Sequence, residues 1–272
     1  MITSKLSSYP RIMGIINVTP DSFSDGGRFN HLDKALAHAH QLIAEGATIL
    51  DIGGESTRPG AQAITVEEEL RRVLPVVKAL QGCGVSISVD TRHADVMQEV
   101  LQYEVAMIND VTALQDPKAV HYCQEAGAEV CIMHMQGEPQ SMQNKPHYSD
   151  VVKEVYAFLE KRVAELVSQG INKDQIYIDP GFGFGKTVEH NIQLMQALPY
   201  FKELGCPMLI GVSRKNFLGK ITHTEVNDRL VPSVVGALWA ALAGADIVRV
   251  HDVKETKQAL TLWQAMTHGV TH

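Results

Sequence analysis

The chain has 272 residues, of which 45% are hydrophobic and 20% are charged, a composition typical of soluble globular proteins. Its net charge of −7 comes from acidic and basic residues scattered along the chain, without a basic run that could follow a nucleic-acid backbone. No apolar run approaches the roughly 18 residues that span a membrane. Neither nucleic acid nor a membrane is therefore an expected partner.

The cysteines indicate a reducing compartment. They lie at irregular spacings without a C-x-x-C pair, which favours buried reduced thiols over a disulfide framework or a zinc site. Residues 1–11 contain no apolar segment of the kind that directs secretion. We expect a cytoplasmic protein whose thiols stay reduced at Cys83, Cys123, Cys131 and Cys206.

Eight short apolar runs, each bounded by turn residues, recur along the chain. The segments between them show helical periodicity, as in the one that carries Leu36, Ala39 and Leu42. This alternation is typical of βα units on a parallel sheet, and eight units that close on themselves form a (β/α)8 TIM barrel of roughly 250 residues. We predict the α/β class and a single TIM-barrel domain over residues 1–272. The predicted strands are residues 11–16, 48–52, 85–89, 105–108, 129–133, 175–178, 207–212 and 246–250.

Helix boundaries are marked by capping residues. Thr65 followed by Glu68 predicts a capping box, in which each side chain accepts a hydrogen bond from a free backbone amide at the helix start. Gly46 and Gly170 follow helical segments and suit left-handed C-caps.

Polar residues follow almost every predicted strand. In a TIM barrel the active site lies at the C-terminal ends of the strands. A single Asp after a strand is more often a helix N-cap than a ligand, but a whole set of polar groups on one rim predicts a concave binding site. The set comprises Asn17, Gly53–Glu55 leading into Thr57 and Arg58, Asp90, Asn109, Met133–His134, Asp179, Ser213 with Lys215, and Arg249 with His251.

These residues divide into two chemical kinds. Asp90, Asn109 and Asp179 are acceptors, suited to a heterocycle with an amino group and ring N–H donors, such as the 2-amino-4-oxo pyrimidine edge of a pterin or guanine. The donors suit anions, and most of them follow strands 7 and 8, where TIM barrels commonly bind phosphate. The donors are Arg58, Ser213, Lys215, Arg249 and His251.

Two glycine-rich segments border this rim. Residues 19–29 are polar and contain Phe23, which predicts a mobile flap. Asn17 at the root of the flap offers one neutral oxygen, which suits Mg²⁺ bound mainly by water and a substrate diphosphate. Residues 181–185 either let the backbone approach a ligand closely or form a tight loop.

Two longer segments resemble the signatures of one enzyme family. GIINVTPDSFSDGG (14–27) is similar to the first signature of dihydropteroate synthases, and DIGGESTRPGA (51–61) is similar to the second. The resemblance covers the chain almost from end to end, in family order, and implies a pterin-binding TIM barrel. It continues through VDT (89–91), INDV (108–111), MHMQGEP (133–139), DPGFGFGKT (179–187), GVSRK (211–215) and RVHDVKE (249–255).

The resemblance implies roles for individual residues. The pterin would be bound by Asp90, Asn109, Asp179 and Lys215, with Met133 and Phe184 near its ring. The diphosphate would contact Asn17, Arg58, Arg249 and His251, and Asn17 would also contact Mg²⁺, the expected cofactor. The aminobenzoate site would comprise Phe23, Thr57, Pro59 and Ser213. The residues expected to act in catalysis are Asn17, Arg58, Asp90, Lys215, Arg249 and His251.

The implied reaction belongs to folate biosynthesis. It joins 6-hydroxymethyl-7,8-dihydropterin diphosphate to 4-aminobenzoate, forming 7,8-dihydropteroate and releasing pyrophosphate. The rim shows no strong nucleophile with an adjacent base, which disfavours covalent catalysis by the protein. We expect an SN1-like substitution in which Mg²⁺ and cationic side chains stabilise the leaving diphosphate. The resemblance also implies a homodimer, and sulfonamides as mimics of 4-aminobenzoate.

Two alternatives remain. A pterin-dependent methyltransferase of the corrinoid type shares the barrel and a similar pterin-binding pattern, but it has no use for a diphosphate-binding pair such as Arg249 and His251. A catalytically silent pterin-binding paralogue could retain Asp90 and Asp179 and lose the flap residues, which are present here. Pyrophosphate release from the two substrates distinguishes all three functions.

Overall fold

Eight parallel strands alternate with helices in the computed structural model, which describes residues 9–19, 28–56, 62–137, 142 and 146–269. The strands are β1 (Arg11–Asn17), β2 (Ile49–Gly53), β3 (Ser86–Asp90), β4 (Val105–Asp110), β5 (Glu129–Met133), β6 (Ile176–Asp179), β7 (Leu209–Ile210) and β8 (Ile247–Val250). The helices in these ranges are α1 (Arg28–Glu45), α2 (Val66–Ala79), α3 (Ala94–Val100), α4 (Pro117–Ala126), α5 (Val151–Ser168), α6 (Val188–Gln196), α7 (Leu198–Phe201), α8 (Asn216–Thr222), α9 (Leu230–Leu242) and α10 (Val253–His268).

The sheet closes on itself. Its hydrogen-bonded order is β6-β5-β4-β3-β2-β1-β8-β7, and every pairing is parallel. The remaining gap is bridged where the N–H of Ile178 in β6 donates to the carbonyl oxygen of Pro207 at 2.9 Å, and where Ile178 pairs with Met208. The predicted (β/α)8 barrel is confirmed, with all eight strands at the predicted places.

Strand β7 is much shorter than predicted. The apolar run 207–212 predicted six residues of strand, but the ladder covers Leu209 and Ile210 alone. Pro207 has no N–H to donate to a ladder, and beyond Ile210 the chain turns towards the barrel rim. The prediction from the apolar run was therefore too long at both ends of the strand.

Side chains alternate between the two faces of the barrel wall. One set points outward against the helices and forms the main core, as Ile52, Val89 and Ile178 do. The other set points inward and forms a buried apolar cluster near the N-terminal ends of the strands, here called the lower layer. The lower layer consists of Met13, Ile49, Met107, Cys131, Tyr177, Leu209 and Ile247.

The helix ends follow the predicted capping signals in most respects. Thr65 is the N-cap of α2 and accepts a hydrogen bond from the N–H of Glu68 at 3.3 Å. The Glu68 carboxylate does not complete the box, because it is held by Arg71 and Arg72 at 2.7 Å. Half of the predicted capping box therefore forms.

The predicted glycine C-caps are present. Gly46 and Gly170 have φ values of +108° and +95°, in the left-handed region that suits glycine. In each case the next residue donates its N–H back into the last helical turn, from Ala47 to Leu42 and from Ile171 to Leu166. Both helices therefore end where the sequence predicted.

The connection between α8 and α9, residues 223–229, is largely non-helical. His223 adopts a left-handed conformation with φ of +55° and ends α8, and only a short 3-10 turn at Val226–Asp228 follows.

None of the helices in the described part of the chain has both the length and the apolarity that a membrane crossing requires.

Candidate active site

A polar layer lies directly above the apolar lower layer, towards the C-terminal ends of the strands. Because inward-facing residues recur every second position, the residue two places after a lower-layer residue also faces inward. Ile49 is thus followed by Asp51, and Ile247 by Arg249. Ser88 and Asp90 of β3 join these residues through hydrogen bonds to Asp51 and Arg249. The group, here called the upper layer, consists of Asp51, Ser88, Asp90, Asn109, Asp179 and Arg249.

Arg249 joins two carboxylates at the centre of the upper layer. Its Nε donates to Asp51 Oδ2 at 2.5 Å, and its Nη2 donates to Asp90 Oδ2 at 2.8 Å. Burial opposes the guanidinium charge, but the Asp51 and Asp90 carboxylates outweigh burial and raise the pKa of Arg249. The guanidinium is therefore a permanent cation held in one orientation.

Asp51 is fully enclosed by polar neighbours. Besides Arg249, it accepts hydrogen bonds from Ser88 Oγ at 2.7 Å and from Asn109 Nδ2 at 3.3 Å. Its exposed fraction is 0%, so it contacts a ligand less readily than its neighbours. Asp51 therefore orients Arg249 and Asn109.

Asp90 lies closer to the barrel mouth. Burial raises its pKa to about 7, Arg249 counteracts this shift, and the neighbouring charge of Asp51 adds to it. A ligand that supplies N–H donors stabilises the ionised form of a carboxyl group with a raised pKa, because each donor hydrogen-bonds to the negative charge. Asp90 is thus suited to bind the amino and ring N–H groups of a heterocycle.

Asp179 occupies the opposite side of the mouth, at the end of β6. Its Oδ1 accepts the N–H of Gly181 at 2.7 Å. Burial raises its pKa, while the Gly181 hydrogen bond and the Lys215 charge counteract the shift. Gly181 has φ of +75°, and a Cβ there would lie 1.8 Å from the carbonyl oxygen of His134. Here the glycine allows close contact between two parts of the chain.

An apolar wall stands beside Asp179. Val111, Met133, Met142 and Phe184 pack together as a separate buried cluster at the barrel mouth. The Nζ of Lys215 lies 4.2 Å from the centroid of the Phe184 ring, within the range of a cation–π contact. Burial lowers the pKa of Lys215 to about 8, and Asp179 counteracts this shift. A flat ring that packs against this wall would have the Asp179 carboxylate at one edge and the Lys215 ammonium nearby.

Ser213 and His251 are in direct contact after β7 and β8. Ser213 Oγ lies 3.0 Å from His251 Nδ1 and accepts the backbone N–H of His251 at 3.2 Å. His251 and Asn17 also line a cavity of about 500 Å³ together with Lys34 and Arg214. This side of the mouth carries cations and neutral polar groups, which suits an anionic ligand.

The structure therefore brings most of the predicted residues to one rim. The predicted pterin residues lie around the mouth, from Asp90 at the end of β3 to Asp179 at the end of β6, and Asp90 contacts Arg249. The predicted anion residues His251 and Asn17 lie at the cavity. Four predicted residues fall outside the described part of the chain: Phe23, Thr57, Arg58 and Pro59.

The sequence did not assign Asp51 or Lys186. Asp51 stands within a predicted strand, not after it, and a carboxylate inside the run TILDI was the signal that could have identified it. Lys186 directly follows the glycine-rich turn, and its side chain is buried beside His134. A lysine has no periodic pattern that would predict its burial.

Comparisons with known proteins show which family the chain belongs to. A family model described as pterin binding enzyme matches residues 13–251. The dihydropteroate synthase of Haemophilus influenzae is 50% identical over 265 residues, which are 96% of this chain and 96% of that protein. The chain belongs to the dihydropteroate synthase family. As a dihydropteroate synthase it is a transferase of folate biosynthesis, and the predicted family is confirmed.

Solved dihydropteroate synthase structures share the fold. That of Xanthomonas albilineans with 4-aminobenzoic acid has a TM-score of 0.91 and 48% identity, covering 96% of this chain and 94% of that one. That of Yersinia pestis with a sulfonamide drug complex has a TM-score of 0.90 and 46% identity, covering 95% and 94%. The comparisons therefore favour a dihydropteroate synthase over the methyltransferase and the silent paralogue.

Proposed function

We propose that the upper layer and the apolar wall of this dihydropteroate synthase bind the pterin, and that the Asn17–His251 side of the mouth binds its diphosphate. The observation that carries the proposal is the placement of two carboxylates with raised pKa values, Asp90 and Asp179, on opposite sides of one mouth. The amino group and ring nitrogens of a pterin supply N–H donors, which stabilise the ionised form of both carboxylates.

The wall beside Asp179 orients the ring. Met133 and Phe184 offer apolar surface, and the Nζ of Lys215 lies over the Phe184 ring. Asn109 Nδ2 donates to Asp51 at 3.3 Å, and its carbonyl oxygen would serve the pterin as a further acceptor. Together these groups fix one face and one edge of the pterin and exclude water from them.

The diphosphate would leave towards the cavity. Arg249 keeps Nε and Nη2 on carboxylates, so Nη1 is the nitrogen that we assign to a leaving oxygen. His251 and Asn17 line the same side, and Arg58 joins this set by family resemblance. As negative charge develops on the diphosphate, these groups stabilise it, and the pterin methylene carries the cationic character of an SN1-like substitution.

Mg²⁺ fits this side of the mouth only together with the diphosphate. The cavity lining offers the amide oxygen of Asn17 but no carboxylate, and no group of three metal-binding side chains occurs among the described residues. Mg²⁺ prefers several oxygens, most of which water and phosphate would supply. Bound there, it would neutralise charge on the leaving group while Asn17 orients it.

The aminobenzoate would lie next to Ser213. Ser213 Oγ contacts His251, so this hydroxyl stands between the proposed aminobenzoate and diphosphate sites. Phe23, Thr57 and Pro59 complete the site by family resemblance. We propose that diphosphate and Mg²⁺ binding raises aminobenzoate affinity, with a coupling of about 1 to 3 kcal/mol. Equal sulfonamide affinity with and without pyrophosphate, at fixed Mg²⁺ and pterin, would refute this coupling.

The pterin assignment is tested by Asp179→Asn. The amide retains the shape but presents N–H donors to the pterin donors, so pterin affinity should fall by about 10² while thermal stability changes little. Calorimetric titration with a pterin and a pyrophosphate-release assay measure the two effects. Asp174→Asn, on the exposed opposite end of the barrel, is the matched control. Unchanged affinity in Asp179→Asn would remove this residue from the site.

We also propose that the chain, as one barrel domain over residues 1–272, is a cytoplasmic homodimer that pairs through α9. Four large apolar residues recur along one exposed face of this helix, and Val231 and Val235 are 69% and 59% exposed. Such a stripe is typical of a subunit interface. The neighbouring helix α10, which packs against α9, also carries exposed apolar residues at Leu262 and Met266. The stripe consists of Val231, Val235, Trp239 and Leu242.

Sedimentation tests the interface. Val235→Glu places a charge on the exposed stripe and should convert the dimer to monomers without unfolding the barrel. Val167→Glu, on an exposed position of α5, is the matched control and should leave the mass unchanged. A wild-type protein that sediments as a monomer would exclude the dimer.

A further inference from the structure

A buried ammonium lies behind the proposed pterin site. Lys186 is 3% exposed, although lysine is almost never fully buried without a partner. Its Nζ lies 3.0 Å from Nδ1 of His134, 3.0 Å from the carbonyl oxygen of Phe184 and 3.3 Å from the carbonyl oxygen of His134. An ammonium has three N–H donors, so it can satisfy all three acceptors, which a neutral amine cannot.

His134 is a fixed acceptor in this group. Burial, together with the charge of Lys186, lowers the pKa of His134 to about 3, so its ring is neutral. A neutral ring with Nδ1 facing an ammonium carries its proton on Nε2. The ring packs edge-on against Phe158 at a centroid distance of 5.0 Å and lies 6.0 Å from the ring of Tyr148. These contacts hold the imidazole in place.

Lys186 links two chain segments that form the apolar wall. Met133 precedes His134 at the end of β5, and Phe184 lies in the turn after β6. The backbones of these segments also meet where the N–H of His134 donates to the carbonyl oxygen of Asp179 at 3.1 Å. The three hydrogen bonds of Lys186 therefore fix the spacing between Met133 and Phe184.

The same ammonium contributes to the charge around Asp179. The cations that face this carboxylate are Lys186, Lys215 and Arg249, and each counteracts the effect of burial on its pKa. The anions of the same mouth are Asp51 and Asp90, and the Cys131 thiol lies near the carboxylate. Burial lowers the pKa of Lys186 to about 7, and Asp179 counteracts that shift. Lys186 and Asp179 thus stabilise each other's charged form.

We propose that Lys186 is a positioning residue of the pterin site. Its ammonium holds the segment after β5 to the turn after β6, and its charge helps to keep Asp179 ionised for the pterin donors. This inference rests on the assignment of Asp179 to the pterin, and its test separates the two.

The test is Lys186→Met, which keeps the length of the side chain and removes its charge. Pterin affinity at pH 7 should fall by about tenfold. Without this cation the pKa of Asp179 rises, so Asp179 becomes protonated at a higher pH, and affinity is lost as the pH falls through that value. The acid limb of the affinity profile should therefore move up by about one pH unit. Lys118→Met, at an exposed lysine of α4, is the matched control and should change neither quantity.

A merely structural lysine would lower thermal stability without moving the acid limb, and that result overturns the inference. If Lys186→Met does not fold, His134→Phe removes one acceptor of the ammonium, and a loss of about threefold with a smaller shift of the limb supports the inference. An unmoved limb in His134→Phe overturns it. If Asp179→Asn itself leaves affinity unchanged, the pterin assignment fails. If Asp179→Asn weakens binding and Lys186→Met does not, only the inference fails.

Discussion

On β2, β4, β6 and β8 the residues of the lower and upper layers of the barrel interior lie two positions apart, yet they differ in chemistry. The lower layer packs apolar side chains such as Met107 and Ile247 with no charge among them. The upper layer places three carboxylates around one guanidinium. One strand therefore contributes stability at one inward position and binding at the next. Substitutions in the two layers should separate loss of stability from loss of function.

Arg249→Ala should have the largest effect, because it acts on both properties. Removing one partner of a buried pair leaves Asp51 and Asp90 uncompensated and should lower the free energy of unfolding by about 3 to 5 kcal/mol. Turnover of the diphosphate substrate should fall by about 10² to 10³, far more than affinity for a bare pterin. Urea unfolding, steady-state kinetics and calorimetry measure these three effects. Equal losses of turnover and pterin affinity would make Arg249 structural and would contradict its diphosphate role.

Met107→Ala should affect stability alone. The side chain is 1% exposed in the lower layer, so the cavity left behind should cost about 2 to 5 kcal/mol of unfolding free energy. Pterin affinity of the folded protein should stay within twofold of wild type. The exposed Val167→Ala is the control and should change the free energy of unfolding by less than about 0.5 kcal/mol. A large loss of pterin affinity in Met107→Ala would show that the two layers are coupled.

Asp90 should contribute to the pH dependence of stability and of pterin affinity with opposite signs. The pKa of Asp90 is raised to about 7 in the folded protein, so the folded state binds this proton more tightly than the unfolded state. The contribution of Asp90 to the stability of the ligand-free protein should therefore increase as the pH falls from 8 to 6, against the opposite contributions of Lys186 and Lys215, whose pKa values are lowered to about 7 and about 8. Pterin affinity should decrease over the same range, because the bound form needs the carboxylate. Asp90→Asn should remove both contributions and leave the loss of affinity that protonation of Asp179 causes. The measurement is the difference between wild type and Asp90→Asn across this range, and parallel slopes of stability and affinity in that difference would contradict this assignment.

Tyr177→Phe should have the smallest effect. Tyr177 OH accepts from Arg11 at 2.5 Å and donates to Glu129 at 3.1 Å, at the N-terminal end of the barrel. Arg11 and Glu129 remain paired at 3.4 Å without the hydroxyl, so the expected cost is about 0.5 to 1.5 kcal/mol. Thermal unfolding measures it, and pyrophosphate release should be unchanged. Lower turnover would show that this end of the barrel also affects catalysis.

The fold could be predicted from the sequence because its signals are local. Each strand is a short apolar run, and several helix ends carry a capping residue, as Thr65 and Gly170 show. Asp90, Asn109 and Asp179 were predicted as site residues because they stand at or next to strand ends. The pairing of Arg249 with Asp51 was not predictable, since it joins residues 198 positions apart and depends on barrel closure. The burial of Lys186 depends on packing between two chain segments and was equally unpredictable from the sequence.

The double attachment of Arg249 has a consequence for the entropy of binding. A free arginine side chain samples many rotamers, and ordering it on a ligand costs up to about 2 kcal/mol. Here Asp51 and Asp90 have already selected one rotamer during folding. A substrate that contacts the remaining nitrogen of the guanidinium meets a rigid donor and loses little affinity to the ordering of this side chain.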